Sequence, residues 1–179
     1  MKKIIALGAS NSSRSINRKF AGWAARQSGF DVKLLDLNDF EMPIFSIDRE
    51  EKSGFPEEAI TFKKLISEAD GLIFSMAEHN GAYSAAFKNI MDWISRIGKG
   101  IWSYKPMLLL ATSPGGRGAQ TVLEIAAASF PRRGAEVVAS FSLPSFNDNF
   151  TDGSGITNPE LLANFSQKLE EFKRHVLAS

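Results

Sequence analysis

Lys3-Ile4-Ile5-Ala6-Leu7-Gly8-Ala9-Ser10-Asn11-Ser12-Ser13-Arg14-Ser15-Ile16-Asn17 is a short branched apolar run that stops at a glycine and passes into hydroxyl and amide side chains. Lys3–Leu7 has the length and composition of a strand, and Ser15–Gln27 has the spacing of a helix. A strand that turns through a polar loop into a helix is the building unit of a parallel sheet. The unit recurs. Further strands are predicted at Val32–Asp36, Gly71–Met76, Pro106–Thr112 and Glu136–Phe141, with helices at Glu57–Ala69, Ala82–Ile97, Gln120–Arg132 and Pro159–Leu177. Leu72-Ile73-Phe74 and Met107-Leu108-Leu109-Leu110-Ala111 are apolar without alternation, as strands covered on both faces are. The expected fold class is therefore α/β, a three-layer sandwich around a five-stranded parallel sheet, with residues 1–179 forming a single domain. The connection Leu37–Phe55 lacks periodicity and reads either as a packed lid or as an excursion toward a partner subunit.

Composition narrows the chemistry. With 21 basic and 20 acidic residues, the net charge of +1 gives no electrostatic reason to expect nucleic acid or an anionic membrane as partner. The absence of cysteine excludes disulfides, thiolate catalysis and cysteine-ligated metal. His79 and His175 lie far apart and show no metal-ligand spacing, so no metal site is expected. The apolar start of the chain breaks at Gly8, too early for a signal peptide, and no stretch approaches the ~18 apolar residues of a membrane span. A cytoplasmic protein acting on small molecules is the expectation.

In an open parallel sheet, ligands settle outside the carboxyl ends of the strands. Three unusual loops fall there. The first contains Ser10, Ser12, Ser15 and Asn17 ahead of a helix, a set of donors suited to a phosphate group. Ser13 or Ser15 would serve equally well as a plain helix cap, and the sequence leaves both readings open. The second runs Met76-Ala77-Glu78-His79-Asn80-Gly81-Ala82-Tyr83, where Asn80-Gly81 supplies a tight turn and lets a planar ring approach the backbone. Behind it, Phe87, Ile90, Met91 and Ile94 are spaced as a core face, with Trp93 beside them as core or interface. The third, Ser113-Pro114-Gly115-Gly116-Arg117-Gly118, is rich enough in glycine to fold around a flat ligand edge. Pro144–Gly155 is polar, aromatic and turn-rich, and reads as a further functional loop.

These loops resemble those of the NADPH-dependent FMN reductases, a flavodoxin-like family that includes flavin, quinone, azo-dye and chromate reductases. Ser10, Ser15 and Asn17 match a first motif of the form G-S-x-R-x-x-S-x-N, with Ser12 at its arginine position and Arg14 or Arg18 close by as a substitute. Glu78, Asn80, Tyr83, Lys88, Asn89, Asp92 and Trp93 match a second motif, P-E-Y-N-x-x-Y-P-x-x-L-K-N-x-x-D-W; Ala77, His79, Ser84 and Phe87 depart from it. Ser113, Gly115, Gly116 and Gly118 resemble a third, more variable flavin loop. The resemblance implies a sheet order of 2-1-3-4-5. It also implies FMN held by Ser10, Ser12, Ser15, Ile16 and Asn17, by Ala77, Glu78, His79, Asn80 and Gly81, and by Ser113, Gly115 and Gly116. NADPH or NADH would be co-substrate, and a free flavin, quinone or similar small molecule the acceptor, in ping-pong turnover with no catalytic side chain. A non-catalytic FMN electron carrier is the alternative. The family's homodimers and homotetramers imply a homo-oligomer here, with Trp93, Ile97, Ile101, Trp102 and Tyr104 as an aromatic contact patch or as core.

Overall fold

The computed structural model describes residues 1–179. In chain order the first elements are β1 (Lys3–Gly8), α1 (Ile16–Gln27), β2 (Asp31–Leu35), a 3-10 turn (Leu37–Phe40), α2 (Ile47–Ser53) and α3 (Glu57–Glu68). Then come β3 (Gly71–Met76), the short hairpin β4 (Glu78–His79) and β5 (Ala82–Tyr83), α4 (Ala85–Ile94), β6 (Lys105–Thr112) and α5 (Gln120–Ser129). A 3-10 turn (Pro131–Arg133), β7 (Ala135–Leu143), α6 (Phe146–Asn149), the hairpin β8 (Phe150–Thr151) and β9 (Gly155–Ile156), and α7 (Pro159–Ala178) complete the chain.

The main sheet is parallel throughout, in the order β2-β1-β3-β6-β7. Counting only its five members along the chain, this is the expected 2-1-3-4-5. Alternate residues of the central strands feed two separate cores. Leu72, Phe74, Met76, Met107 and Leu109 pack with α3, α4 and α5 on one face, and Ile4, Ala6, Ile73, Leu108 and Leu110 with α1 and α7 on the other. This two-sided burial is why those strands read as unbroken apolar runs. The crossover from β1 to α1 is tight: a Cβ on Gly8 would lie 2.2 Å from the Arg18 amide nitrogen, so only glycine lets the helix start this close to the strand end.

Several expectations are corrected. The helix predicted from Ala82 starts at Ala85, because Ala82-Tyr83 pairs antiparallel with Glu78-His79, and it ends at Ile94. Leu37–Phe55 is not irregular: it holds a 3-10 turn and α2, and its root is fastened to α4. Asn89 Oδ1 accepts the Phe45 amide N–H at 2.8 Å, and Trp93 Nε1 donates to the Pro43 carbonyl at 2.7 Å. Trp93, Ile101 and Trp102 are core residues, which removes them from the contact-patch reading and leaves Tyr104 as its one exposed aromatic. Within Pro144–Gly155, Phe146 and Phe150 stack at 4.6 Å and join Phe20 and Trp23 in the second core, so this loop also has a packing role.

Candidate functional site

The three loops converge as the topology requires. A cleft of about 230 Å3 at the carboxyl edge of the sheet is lined by Ser10, Ser12, Ser15, Ile16 and Asn17 from the first loop, by Ala77, Glu78 and His79 from the second, and by Ser113 from the third. Arg14, Thr112 and Pro114 complete the wall. Asn80 and Gly81 lie outside it, at the tip of the β4–β5 hairpin, and Gly115 and Gly116 lie farther along the third loop.

The first loop is a cage of serines whose oxygens face their own backbone. Ser10 Oγ accepts the Ser12 amide at 3.2 Å, Ser12 Oγ the Arg14 amide at 3.3 Å, and Ser15 Oγ the Arg18 amide at 3.1 Å. Ser15 is therefore the N-cap of α1. None of these hydroxyls donates to another protein group, so each keeps its proton for a ligand. Capping and anion binding are compatible here rather than opposed. The first-turn amides of Ile16 and Asn17 also have no acceptor within the protein and sit at the positive end of α1. Of the two arginines near the loop, Arg18 lies 3.5 Å from the Asp36 carboxylate, whereas exposed Arg14 lines the cleft and has no carboxylate partner.

Asn17, which also lines the cleft, carries structural bonds as well. Its Oδ1 accepts from the Ser75 hydroxyl at 2.7 Å and from the Thr112 amide at 3.2 Å, while Nδ2 donates to the Thr112 carbonyl at 3.1 Å. It ties α1 to the ends of β3 and β6, with one Nδ2 proton left over. Ser84, where the resembled motif has proline, caps α4 by accepting the Phe87 amide and donates to the Ala9 carbonyl at 2.8 Å, fixing the second loop to the first.

In the second loop, Asn80 and Gly81 both have positive φ, 52° and 72°, the backbone of a two-residue hairpin turn that carries His79 outward. Glu78 points the other way. Its Oε2 accepts the Val122 amide at 3.0 Å, in the first turn of α5, whose own N-cap residue, Ala119, has no side-chain acceptor to offer. The third loop is braced from below: the Ser145 amide donates to the Gly115 carbonyl and the Phe146 amide to the Ser113 carbonyl, each at 3.0 Å. Gly115 and Gly116 need no positive φ, and a Cβ on either would meet nothing closer than 3.8 Å. The space beside them is open.

Sequence reasoning missed Thr112, which reads only as the end of a strand, and named Pro114 only as part of the third loop. Ser13, offered as an alternative cap, is exposed and does not cap α1.

The chain is similar to known proteins. The profile of the NADPH-dependent FMN reductase family matches residues 2–148. An uncharacterized protein of Mycoplasma pneumoniae is 31% identical over 157 residues, covering 85% of this chain and 93% of that one. A 2-hydroxy-1,4-benzoquinone reductase of Burkholderia is 37% identical over 92 residues, but the match covers 51% of this chain and only 48% of the relative. Among solved structures, the NAD(P)H:(acceptor) oxidoreductase FerB of Paracoccus denitrificans superimposes with a TM-score of 0.78 over 99% of this chain and 98% of that one, at 20% identity. That likeness concerns the fold.

Proposed function

The chain belongs to the NADPH-dependent FMN reductase family, and on that premise we propose that its cleft binds FMN and that the protein reduces a small acceptor, a quinone or free flavin, at the expense of NAD(P)H. The observation that carries the reading is the serine cage with unspent hydroxyl protons beneath a helix N-terminus, beside the unpaired Arg14. This is a donor set for a phosphomonoester, and one that a neutral ligand would leave unused.

FMN, when bound, supplies the hydride-accepting centre, so no acid or base on the protein has to be found. The protein's part is binding and orientation. Ser10, Ser12, Ser15 and the Ile16 amide would hold the phosphate, with Arg14 neutralising its charge. Asn17 positions that loop by fixing α1 against β3 and β6. Ala77, Glu78, His79, Asn80 and Gly81 would line the ring from one side, and Ser113, Gly115 and Gly116 from the other. Bare glycine backbone leaves a planar group room to lie flat. Such a grip leaves one face for both dinucleotide and acceptor, which must then visit in turn, and this is the basis for ping-pong turnover.

A titration followed by anaerobic reduction tests the reading. FMN should bind at least tenfold more tightly than riboflavin, one charge-assisted contact being worth about 1.5–3 kcal/mol, and NADPH should bleach the bound flavin without acceptor. Equal affinity for the two flavins would remove the phosphate cage. Binding without bleaching by either dinucleotide would favour an electron carrier. Initial rates at several acceptor concentrations should give parallel double-reciprocal lines; converging lines would replace ping-pong with a ternary complex.

A further inference from the structure

The cleft is open at its phosphate end. Past Arg14 and Ser15, which line both spaces, a groove of about 290 Å3 runs along the outer face of α1, bounded by Arg18, Lys19 and Arg26, with Leu34 and Phe150 on its apolar side. No residue of the second or third loop lines it. A ligand that fills both spaces must therefore pass from one to the other through its phosphate. The groove also carries more positive charge than its neighbours neutralise. Arg18 lies 3.5 Å from Asp36, and Lys19 lies 2.9 Å from Asp152, itself on the groove wall, while Arg14 and Arg26 have no carboxylate partner. Arg18 is incompletely satisfied: its Nε is shut off from solvent and donates to nothing, although buried N–H groups are nearly always paired. Arg18, Gly22 and Arg26 follow at intervals of four residues and share one stripe of α1. A Cβ on Gly22 would lie 3.0 Å from Leu34 Cδ2 and 3.5 Å from Arg26 Nη1, so the bare glycine keeps the floor open between the two guanidinium groups.

We propose that the flavin site extends past the phosphate and takes FAD as well as FMN, with the adenylate half of FAD lying along α1. The inference rests on the flavin reading above and widens its ligand class. FAD is FMN whose phosphate is joined by an anhydride bond to AMP. Seating its inner phosphate in the serine cage sends the second phosphate and the adenosine outward beside Arg14 and Ser15, into the groove. The anhydride carries its charge on two adjacent phosphates, and the cations are spread in the same way, from Arg14 at the cleft to Arg18 and Lys19 within the groove. The adenosine then lies across Gly22 with Leu34 as its apolar backing. Its purine reaches Arg26, whose planar guanidinium can stack on an aromatic ring and donate to ring nitrogens. FMN ends at the cage and has no use for Arg26, which is exposed, makes no side-chain bond within the protein and lies outside the cleft.

Titrations of the wild type, Arg26→Ala and Arg26→Glu with FMN and with FAD test the assignment, with melting temperatures as the check on folding. The wild-type protein should bind FAD at least as tightly as FMN. Arg26→Ala should weaken FAD about tenfold, the equivalent of one hydrogen bond from a charged donor, and Arg26→Glu should weaken it further. FMN affinity and melting temperature should stay unchanged in both variants. FAD bound more weakly than FMN by the wild type, an FAD affinity that both variants leave intact, or a loss that FMN shares equally would each overturn the proposal and leave the FMN reading standing. Failure of either flavin to bind at all separates the cases further: FAD alone excluded sinks the extended site, and both excluded sinks the flavin reading with it.

Discussion

Glu78 Oε2 accepts the amide N–H of Val122 at 3.0 Å, so a residue of the second loop performs the capping that the start of α5 cannot perform for itself. The loop that leaves β3 is thereby tied to the helix that follows β6.

Glu78→Ala removes that cap and should cost about 1 kcal/mol of stability, the usual magnitude for losing an N-cap acceptor. Glu78→Gln keeps an oxygen in place and should recover most of it. Urea unfolding of the two variants measures the difference, and equal losses would show that the carboxylate's charge, rather than its hydrogen bond, supports α5.

Asn17 and Ser15 should separate stability from ligand affinity. Asn17→Ala leaves the Ser75 hydroxyl and both Thr112 backbone groups without their partner in a buried place, and should destabilise the chain by roughly 3 kcal/mol. Ser15→Ala loses one cap, about 1 kcal/mol, but should weaken FMN binding by about 1.5–3 kcal/mol with riboflavin affinity unmoved. Paired denaturation and flavin titrations distinguish the two; FMN affinity intact in Ser15→Ala would reduce that residue to a helix cap.

Acid stability should depend on Asp36 and Asp70. The Asn38 amide holds the Asp36 carboxyl below the usual carboxylate range, assisted by the Asn38 side chain and Arg18, and the Lys3 amide at 2.7 Å does the same for Asp70. Both groups bind protons more weakly in the folded chain than in the unfolded one. Their contribution is therefore complete above the ordinary value of 3.8 and is lost as the pH falls through the lower folded values. The urea midpoint should begin to fall as the pH drops below about 4, and the Asp36→Asn, Asp70→Asn double variant should show a shallower decline. An unchanged slope would assign acid lability to other carboxylates.

Gly155→Ala should be among the most damaging single changes outside the cleft. The added Cβ would fall 1.9 Å from the Trp23 indole, at a residue whose φ is +78°. Overpacking and left-handed backbone together should cost about 3 kcal/mol or more. A thermal melt followed by near-ultraviolet circular dichroism would register it, and a variant of wild-type stability would mean that the β8–β9 hairpin can lift away from α1.

The sheet was legible because its strands are buried on both sides, a condition that forces unbroken apolar runs such as Leu108-Leu109-Leu110. The serine loop could be recognised from hydroxyls crowded ahead of a helix. What those hydroxyls do was not legible, since a side-chain oxygen that caps and a proton that remains free belong to the same atom group. The structural bonds of Asn17 could not be read because its partners, Ser75 and Thr112, lie 58 and 95 residues away. The β4–β5 hairpin was hidden for a related reason: two paired residues on each side are too few to generate an alternating pattern, so Ala82 and Tyr83 merged with the helix behind them. Trp93 and Trp102 are aromatic like an interface and buried like a core, and only the three-dimensional packing separates the two.

None of the residues of α2 is buried. Its carboxyl half is held by a single ion pair, Glu50 with Arg96 at 2.9 Å, while residues 42–45 just ahead of it are pinned to α4 through Asn89 and Trp93. Such a segment opens at low free energy with the sheet intact, so its amides should exchange with solvent first, and a protease should meet the chain there first. A cut between residues 47 and 56 would leave the pinned root in place on one side and the β3–α7 core on the other. The two pieces would remain one particle until denatured.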